Sequence, residues 1–254
     1  MSLILLRPEW PAPARVAALT TTRVGGVSAA PFDSLNLGDH VGDEPAAVAE
    51  NRRRLVDACP GLSAISWLTQ VHGTDVVAAD TASAQRADAQ FTTESELGCA
   101  VMTADCLPVL FCDRAGTRVA AAHAGWRGLC AGVLEQTAQQ FPDPAAVLAW
   151  LGPAIGPHRF EVGAEVRTQF LDVASPAQRA DIAACFQSGA DANHYLADIY
   201  ALARVRLRAI GVTALYGGGL CTVSDRAHFY SYRREGTTGR MASLIYLMSE
   251  AALA

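Results

Sequence analysis

Short apolar runs closed by polar or glycine-bearing turns recur along most of the chain, and their length predicts strands. These runs span residues 16–22, 65–71, 87–92, 99–103, 107–112, 118–122 and 147–151, with further strands near 214 and over 243–248. Between them lie stretches with helical spacing. One covers 44–59, with Asp43 as the expected N-cap and Pro60-Gly61 ending it. Others cover 126–141, 164–173, 176–186 and 197–210. In the last, Ile199, Leu202, Ala203, Val205 and Ile210 fall near one face. Interleaved strands and helices predict an α/β protein with layered packing. No internal repeat or low-complexity linker interrupts the pattern.

Composition narrows the picture. With 254 residues, 51% of them hydrophobic, the chain can bury a substantial core. A formal net charge of -5 without segregation of sign excludes a basic nucleic-acid footprint. All 20 cationic side chains are arginine, so no catalytic lysine or lysine Schiff base exists. The seven cysteines form no framework, and Cys99, Cys112 and Cys130 sit in apolar strings, as reduced thiols do. The apolar patch at the start of the chain is broken by Arg7, Pro8 and Glu9, too early for a signal core or a membrane span. A soluble, cytoplasmic protein without membrane or nucleic-acid partners is expected.

Three apolar runs end on a reactive residue: WLTQVHG on His72, AVMTADC on Cys106 and VAAAHAG on His123. A strand end fixes the backbone while its tip faces a cleft. Two imidazoles and a thiolate suit a borderline-soft ion such as zinc, and three protein ligands leave a fourth position open for water or substrate. The same residues also suit a Cys106 nucleophile with His72 or His123 as its base. In HAGWRG, the turn into the next helix and Arg127 suit a phosphate or carboxylate. GPAIGP (152–157) is a rigid loop followed by Glu161, and Arg233, Arg234 and Arg240 are further candidates for holding an anion. Asp105 is placed to orient a ligand or to cap a turn.

The strings TTRVGGVS, SLNLGDHVGD, TQVHG, TADCLPVLF, AAHAGWRGL, GPAIGP with FEVG, and SYRREGTTGRMASLI occur in this order over nearly the whole chain. Together they closely resemble the laccase-domain or polyphenol oxidase family. Bacterial members of that family are described as purine nucleoside phosphorylases, and one branch as peptidoglycan editing factors. The resemblance implies one laccase-like domain over residues 1–254, built as a four-layer α/β/β/α sandwich like the catalytic domain of cytotoxic necrotizing factor. It implies zinc on His72, Cys106 and His123, with copper as the alternative metal. The implied activities are phosphorolysis of adenosine, inosine and methylthioadenosine, and hydrolytic deamination of adenosine. Cys106, Asp105 and His40 are then the expected catalytic residues, the last two as donors of a proton to the purine. Arg23, Gln70, Arg127 and Arg233 are the expected substrate- or phosphate-binding residues. A purine nucleoside and phosphate are the expected partners of a monomer or small homo-oligomer. His228 stands where many relatives carry another residue. The older assignment to this family, copper-dependent phenol oxidation, meets a chemical objection. The six histidines form no H-x-H pairs of the kind multicopper clusters use. The H-x-E and P-C-x-x-C signature of cytidine deaminases is absent as well. Two rivals remain at this level: a Cys–His hydrolase or editing enzyme acting on a peptidoglycan precursor, and a partner-binding adaptor.

Overall fold

The structure is a computed structural model that describes residues 2–189, 191 and 193–252. Its strands fall into several sheets. One has five strands in the spatial order Leu5–Leu6, Val16–Thr21, Met241–Leu247, Leu97–Thr103 and Ala64–Ser66, antiparallel except for the last pair. The other large sheet has six, in the order Ala214–Gly217, Val147–Leu151, Leu107–Asp113, Val119–Ala124, Ala89–Thr92 and Val76–Ala78, with parallel pairs at its two edges.

The period-two alternation of strand side chains divides the core. In Leu107–Asp113, Leu110 and Cys112 pack with Cys99, Val101, Ile245 and Leu247 of the five-stranded sheet. Val109 and Phe111 of the same strand pack instead with Leu129, Val133, Leu134 and Leu207, which come from helices. On the far side of the five-stranded sheet, Leu55 of the Pro45–Asp57 helix meets Leu19, Ala100 and Leu244. Each fully buried leucine, valine, isoleucine or phenylalanine among these contributes on the order of 1.5–3 kcal/mol. One polar side chain crosses between the sheets: buried Gln90 donates to the carbonyls of Ser66 and Ala100, at 2.9 and 2.7 Å.

Several expected elements are altered for local reasons. The run expected over 65–71 divides into Ala64–Ser66 and Leu68–Thr69, which pair with different partners on either side of Trp67. The helix expected over 126–141 is two, Trp126–Ala131 and Val133–Ala138, because Gly132 adopts φ +108, which only glycine holds easily. Asp43 does not cap the Pro45–Asp57 helix; Glu44 stands there, and the fixed φ of Pro45 begins the helix. The Asp43 carboxylate accepts instead from the Ser28 hydroxyl and the Asn36 amide. The stretch 176–186 holds a shorter helix, Arg179–Ala184, and Phe186 begins a small antiparallel sheet of Phe186–Ser188, His194–Ala197 and Glu161–Gly163. The helix expected over 197–210 is Ile199–Ala209, capped by Asp198, which accepts from the Ala201 N–H at 2.9 Å. Among the described residues no helix is long and apolar enough to cross a membrane.

Candidate metal centre and cavity

The turn of residues 104–106 leads the chain from the five-stranded sheet into the six-stranded one, since Leu97–Thr103 belongs to the first and Leu107–Asp113 to the second. Cys106 therefore sits at the junction of the sheets. His123 lies near the end of Val119–Ala124, paired with Pro108, and its position in the alternation matches Val119 and Ala121, which face the other sheet. His72 follows Leu68–Thr69 with φ +62. The ligand atoms of His72, Cys106 and His123 all lie within 4.8 Å of one another, and theirs is the one His/Cys/Asp/Glu grouping of this kind among the described residues. His72 Nε2 is 4.0 Å from Cys106 Sγ, and the two imidazoles meet edge to face.

The glycine of HAGWRG has a steric reason. A Cβ on Gly125 would lie 3.0 Å from His72 Cδ2 and 3.1 Å from Cys106 Sγ. Asp105 carries φ +107, so two of the three non-glycine residues with positive φ among the described residues are a donor or its neighbour. Backbone strain of this kind persists where surrounding contacts over-determine it. Asp105 has such contacts: it accepts from Thr222 Oγ1 (2.6 Å), Ser231 Oγ (3.0 Å) and the Arg233 N–H (2.7 Å).

The electrostatics of the group follow from proximity. Burial opposes ionisation of Cys106, but His123 and His72 outweigh it and bring its pKa to about 6. Burial likewise disfavours the His123 cation, and Cys106 and Asp88 outweigh it, raising His123 to about 9. Asp88 was not among the residues singled out by sequence. It is fully buried and accepts from His123 Nδ1 at 2.8 Å. The sequence shows only an aspartate between Ala87 and Ala89 at the start of an expected strand; the burial that makes it require a partner appears in the structure.

These donors line a cavity of about 550 Å³. Its walls bring together His40, Gln70, Asp105, Arg127, Arg233 and Arg240 with Trp126, Ile155, Phe160, Ile199 and Tyr232. Most residues expected at the site are therefore found there. Gln70, however, is engaged with the backbone: its amide donates to the Met102 carbonyl and accepts from the Met102 N–H, like an added strand residue. Arg127 stacks over the Trp126 ring at 4.4 Å, and with the helix only six residues long the anion-binding argument rests on this side chain and not on a helix terminus. Arg233 donates to the Glu161 carbonyl at 3.1 Å. Of GPAIGP, Ile155 lines the cavity, and the loop is fixed by the Tyr200 hydroxyl, which accepts from the Ala154 N–H and donates to the Leu220 carbonyl.

Arg23 and Arg234 serve elsewhere. Arg23 is absent from the lining of this cavity and pairs with Glu235 at 2.8 Å over the Tyr230 ring. Arg234 donates to the carbonyls of Thr222, Val223 and Phe229. His228 hydrogen-bonds to Asp225. For Glu235, burial raises the carboxyl pKa, but hydrogen bonds from Thr238 and Arg23 outweigh it and hold it at about 2 against an ordinary 4.5. A depressed pKa stabilises the folded form above the unfolded value, and the contribution fades as pH falls toward about 2. Glu235→Gln is expected to cost about 3 kcal/mol at pH 7 and to flatten the acid limb of stability between pH 4.5 and 2, read by urea denaturation across that window. An unchanged acid limb would remove Glu235 from this role.

Comparison with known proteins fits the architecture. A Neisseria meningitidis protein of known structure matches with a TM-score of 0.91 at 50% identity, covering 96% of this chain and 99% of that one. YlmD from Geobacillus stearothermophilus matches with a TM-score of 0.84 at 32% identity, covering 96% of each. Among curated sequences, a purine nucleoside phosphorylase of Pseudomonas aeruginosa is 59% identical over 95% of this chain and 98% of its own length. The purine nucleoside phosphorylase YfiH of Escherichia coli is 56% identical over 96% of this chain and 99% of its own length. The sequence profile described as multi-copper polyphenol oxidoreductase laccase matches residues 17–248. The chain thus belongs to this laccase-like family, whose curated relatives here bear the name purine nucleoside phosphorylase.

Proposed function

We propose that the protein is a zinc-dependent purine nucleoside phosphorylase acting on adenosine, inosine and methylthioadenosine, as one domain over residues 1–254. The observation that carries this reading is the convergence of His72, Cys106 and His123 at a cavity also lined by arginines and aromatic rings. The names of the relatives supply the nucleoside. The donor set fits zinc: two imidazoles and a low-pKa thiol lie within reach of a single ion, and the missing Cβ of Gly125 leaves them room. Bound there, zinc would supply Lewis acidity at its open position. The core clusters on both outer faces and between the large sheets support the α/β/β/α layering of the toxin-like fold.

The chain's own residues account for recognition. Arg127, Arg233 and Arg240 offer positive charge to phosphate, and Trp126, Phe160 and Tyr232 offer flat apolar surface to a purine. The cavity volume lies within the range of small-molecule sites, roughly 300–1,000 Å³. In phosphorolysis the bond from ribose C1′ to the purine nitrogen breaks, a phosphate oxygen bonds to C1′, and the purine gains a proton. Burial shifts Asp105 upward, the direction a proton donor needs, and shifts His40 downward, away from it.

The test is chromatography of each nucleoside with metal-quantified protein, with and without phosphate. Free purine base together with ribose 1-phosphate, formed only when phosphate is present, is the expected result. Base release that ignores phosphate would sink the proposal. Ammonia released from adenosine would establish the deaminase activity as well.

A Cys–His hydrolase acting on an amide or a peptidoglycan precursor is favoured by one observation, the pairing of a low-pKa Cys106 with a high-pKa His123. Such an enzyme keeps its activity in a chelator, and the phosphorylase loses it. The copper-dependent phenol oxidase reading has less support, since the described residues present a single three-donor grouping and multicopper oxidation uses several.

A further inference from the structure

Asp88 reaches both histidines at once. Its Oδ1 accepts the Nδ1–H of His123 (2.8 Å) and the backbone N–H of His72 (2.9 Å). Its Oδ2 accepts the backbone N–H groups of Gly73 (2.7 Å) and Val71 (3.1 Å). The backbone of the same residue accepts the His123 N–H at 2.7 Å. Four donors on one fully buried carboxylate form a complete shell. The arrangement is directional in two ways. With Nδ1–H of His123 held by Asp88, Nε2, on the Cys106 side, is the nitrogen that can give its lone pair to an ion once its own proton is displaced. Three consecutive N–H groups aimed at one carboxylate fix the turn that holds His72 at φ +62.

We propose that Asp88 is the positioning residue of the metal centre, a single carboxylate that orients His123 through its ring and His72 through its backbone. This deepens the zinc reading and rests on it. A carboxylate behind a ligating imidazole fixes its tautomer and raises its basicity, and removing such a group lowers metal affinity about 10–100-fold. Asn at this position keeps the size but not the symmetry of acceptance. If its oxygen serves Val71 and Gly73, its NH2 group faces His72 N–H and His123 Nδ1, and the imidazole must move its proton to Nε2. If its oxygen serves His123, the NH2 group confronts the N–H groups of Val71 and Gly73. Either way one ligand loses its aim.

The experiment has two arms. Zinc affinity of wild type and Asp88→Asn, measured by competition with a chromophoric chelator on protein shown to be folded by near-ultraviolet circular dichroism, should differ by 10-fold or more. Equal affinity overturns the proposal, because a merely structural aspartate would lower the melting temperature and leave the affinity of the folded protein unchanged. The second arm does not depend on the variant folding. Nitrogen-15 histidine spectra of zinc-loaded wild type should show His123 protonated on Nδ1 and metal-bound through Nε2. The reverse assignment overturns the proposal. A wild type that takes up no zinc overturns the metal reading itself and this inference with it, an outcome distinct from both.

Discussion

Cys106→Ala should bring zinc content and phosphorolysis together to background, while the fold remains. The substitution removes the only thiol of the donor group and the residue at the junction of the two large sheets. Two imidazoles alone hold zinc far more weakly than a three-ligand set with a thiolate. The loss is also electrostatic: Cys106 is a main cause of the raised pKa of His123, and without it the imidazole returns toward its ordinary range. Rates should fall by at least about 10³-fold, in line with loss of a group acting at the transition state. Metal analysis beside the nucleoside assay checks this. A metal-free Cys106→Ala protein that retains phosphorolysis would remove zinc from the mechanism.

Gly26→Ala should be the most damaging single-methyl change. A Cβ there would lie 2.1 Å from the Ser34 carbonyl oxygen and 2.5 Å from Leu35 Cα, backbone atoms that cannot rotate away. The segment it would push is tightly held. Buried Asn51 donates to the Ser28 hydroxyl and to the Ser34 and Asn36 carbonyls, and accepts from the Val27 N–H. Asn36 in turn accepts from the Arg240 N–H, and Arg240 lines the cavity. Overpacking usually costs about 1–3 kcal/mol, and a backbone clash of this size lies at or above the top of that range. A loss of at least about 3 kcal/mol is therefore expected in denaturant titrations, together with weaker nucleoside binding. A variant as stable as wild type would show that the 34–35 backbone yields easily.

Much of this was legible in the sequence, and the exceptions share a cause. Strands of Leu107–Asp113 and Val119–Ala124 were read nearly to their ends, because a run buried on both faces has little ambiguity. His72, Cys106 and His123 were legible as residues ending apolar runs. What the sequence did not carry was pairing. Nothing local shows that the chain changes partner at Trp67, or that Phe186, Glu161 and His194 meet in one small sheet. Gly132 was visible inside the helical pattern over 126–141, but only its left-handed φ shows that it divides the helix. Arg23 was expected at the substrate, yet its charge meets Glu235, 212 positions away. Gln70 lines the cavity, and nothing local shows that its amide also pairs with the Met102 backbone. Asp88 is silent in the sequence because a lone aspartate beside alanines advertises no chemistry until its partners arrive from two other segments.

The donors of the centre are far apart in the chain: His72 and Cys106 alone are separated by 34 positions, and Cys106 lies at the crossing between the sheets. An unfolded chain would have to close those loops before gathering the three around one ion, so its affinity for the ion is necessarily much lower. Any ion held there therefore acts as a rivet across the seam. It adds stability that grows with the logarithm of one plus its free concentration over its dissociation constant, and the melting temperature climbs accordingly. Titrating metal while following unfolding would then measure the affinity of the centre without any substrate.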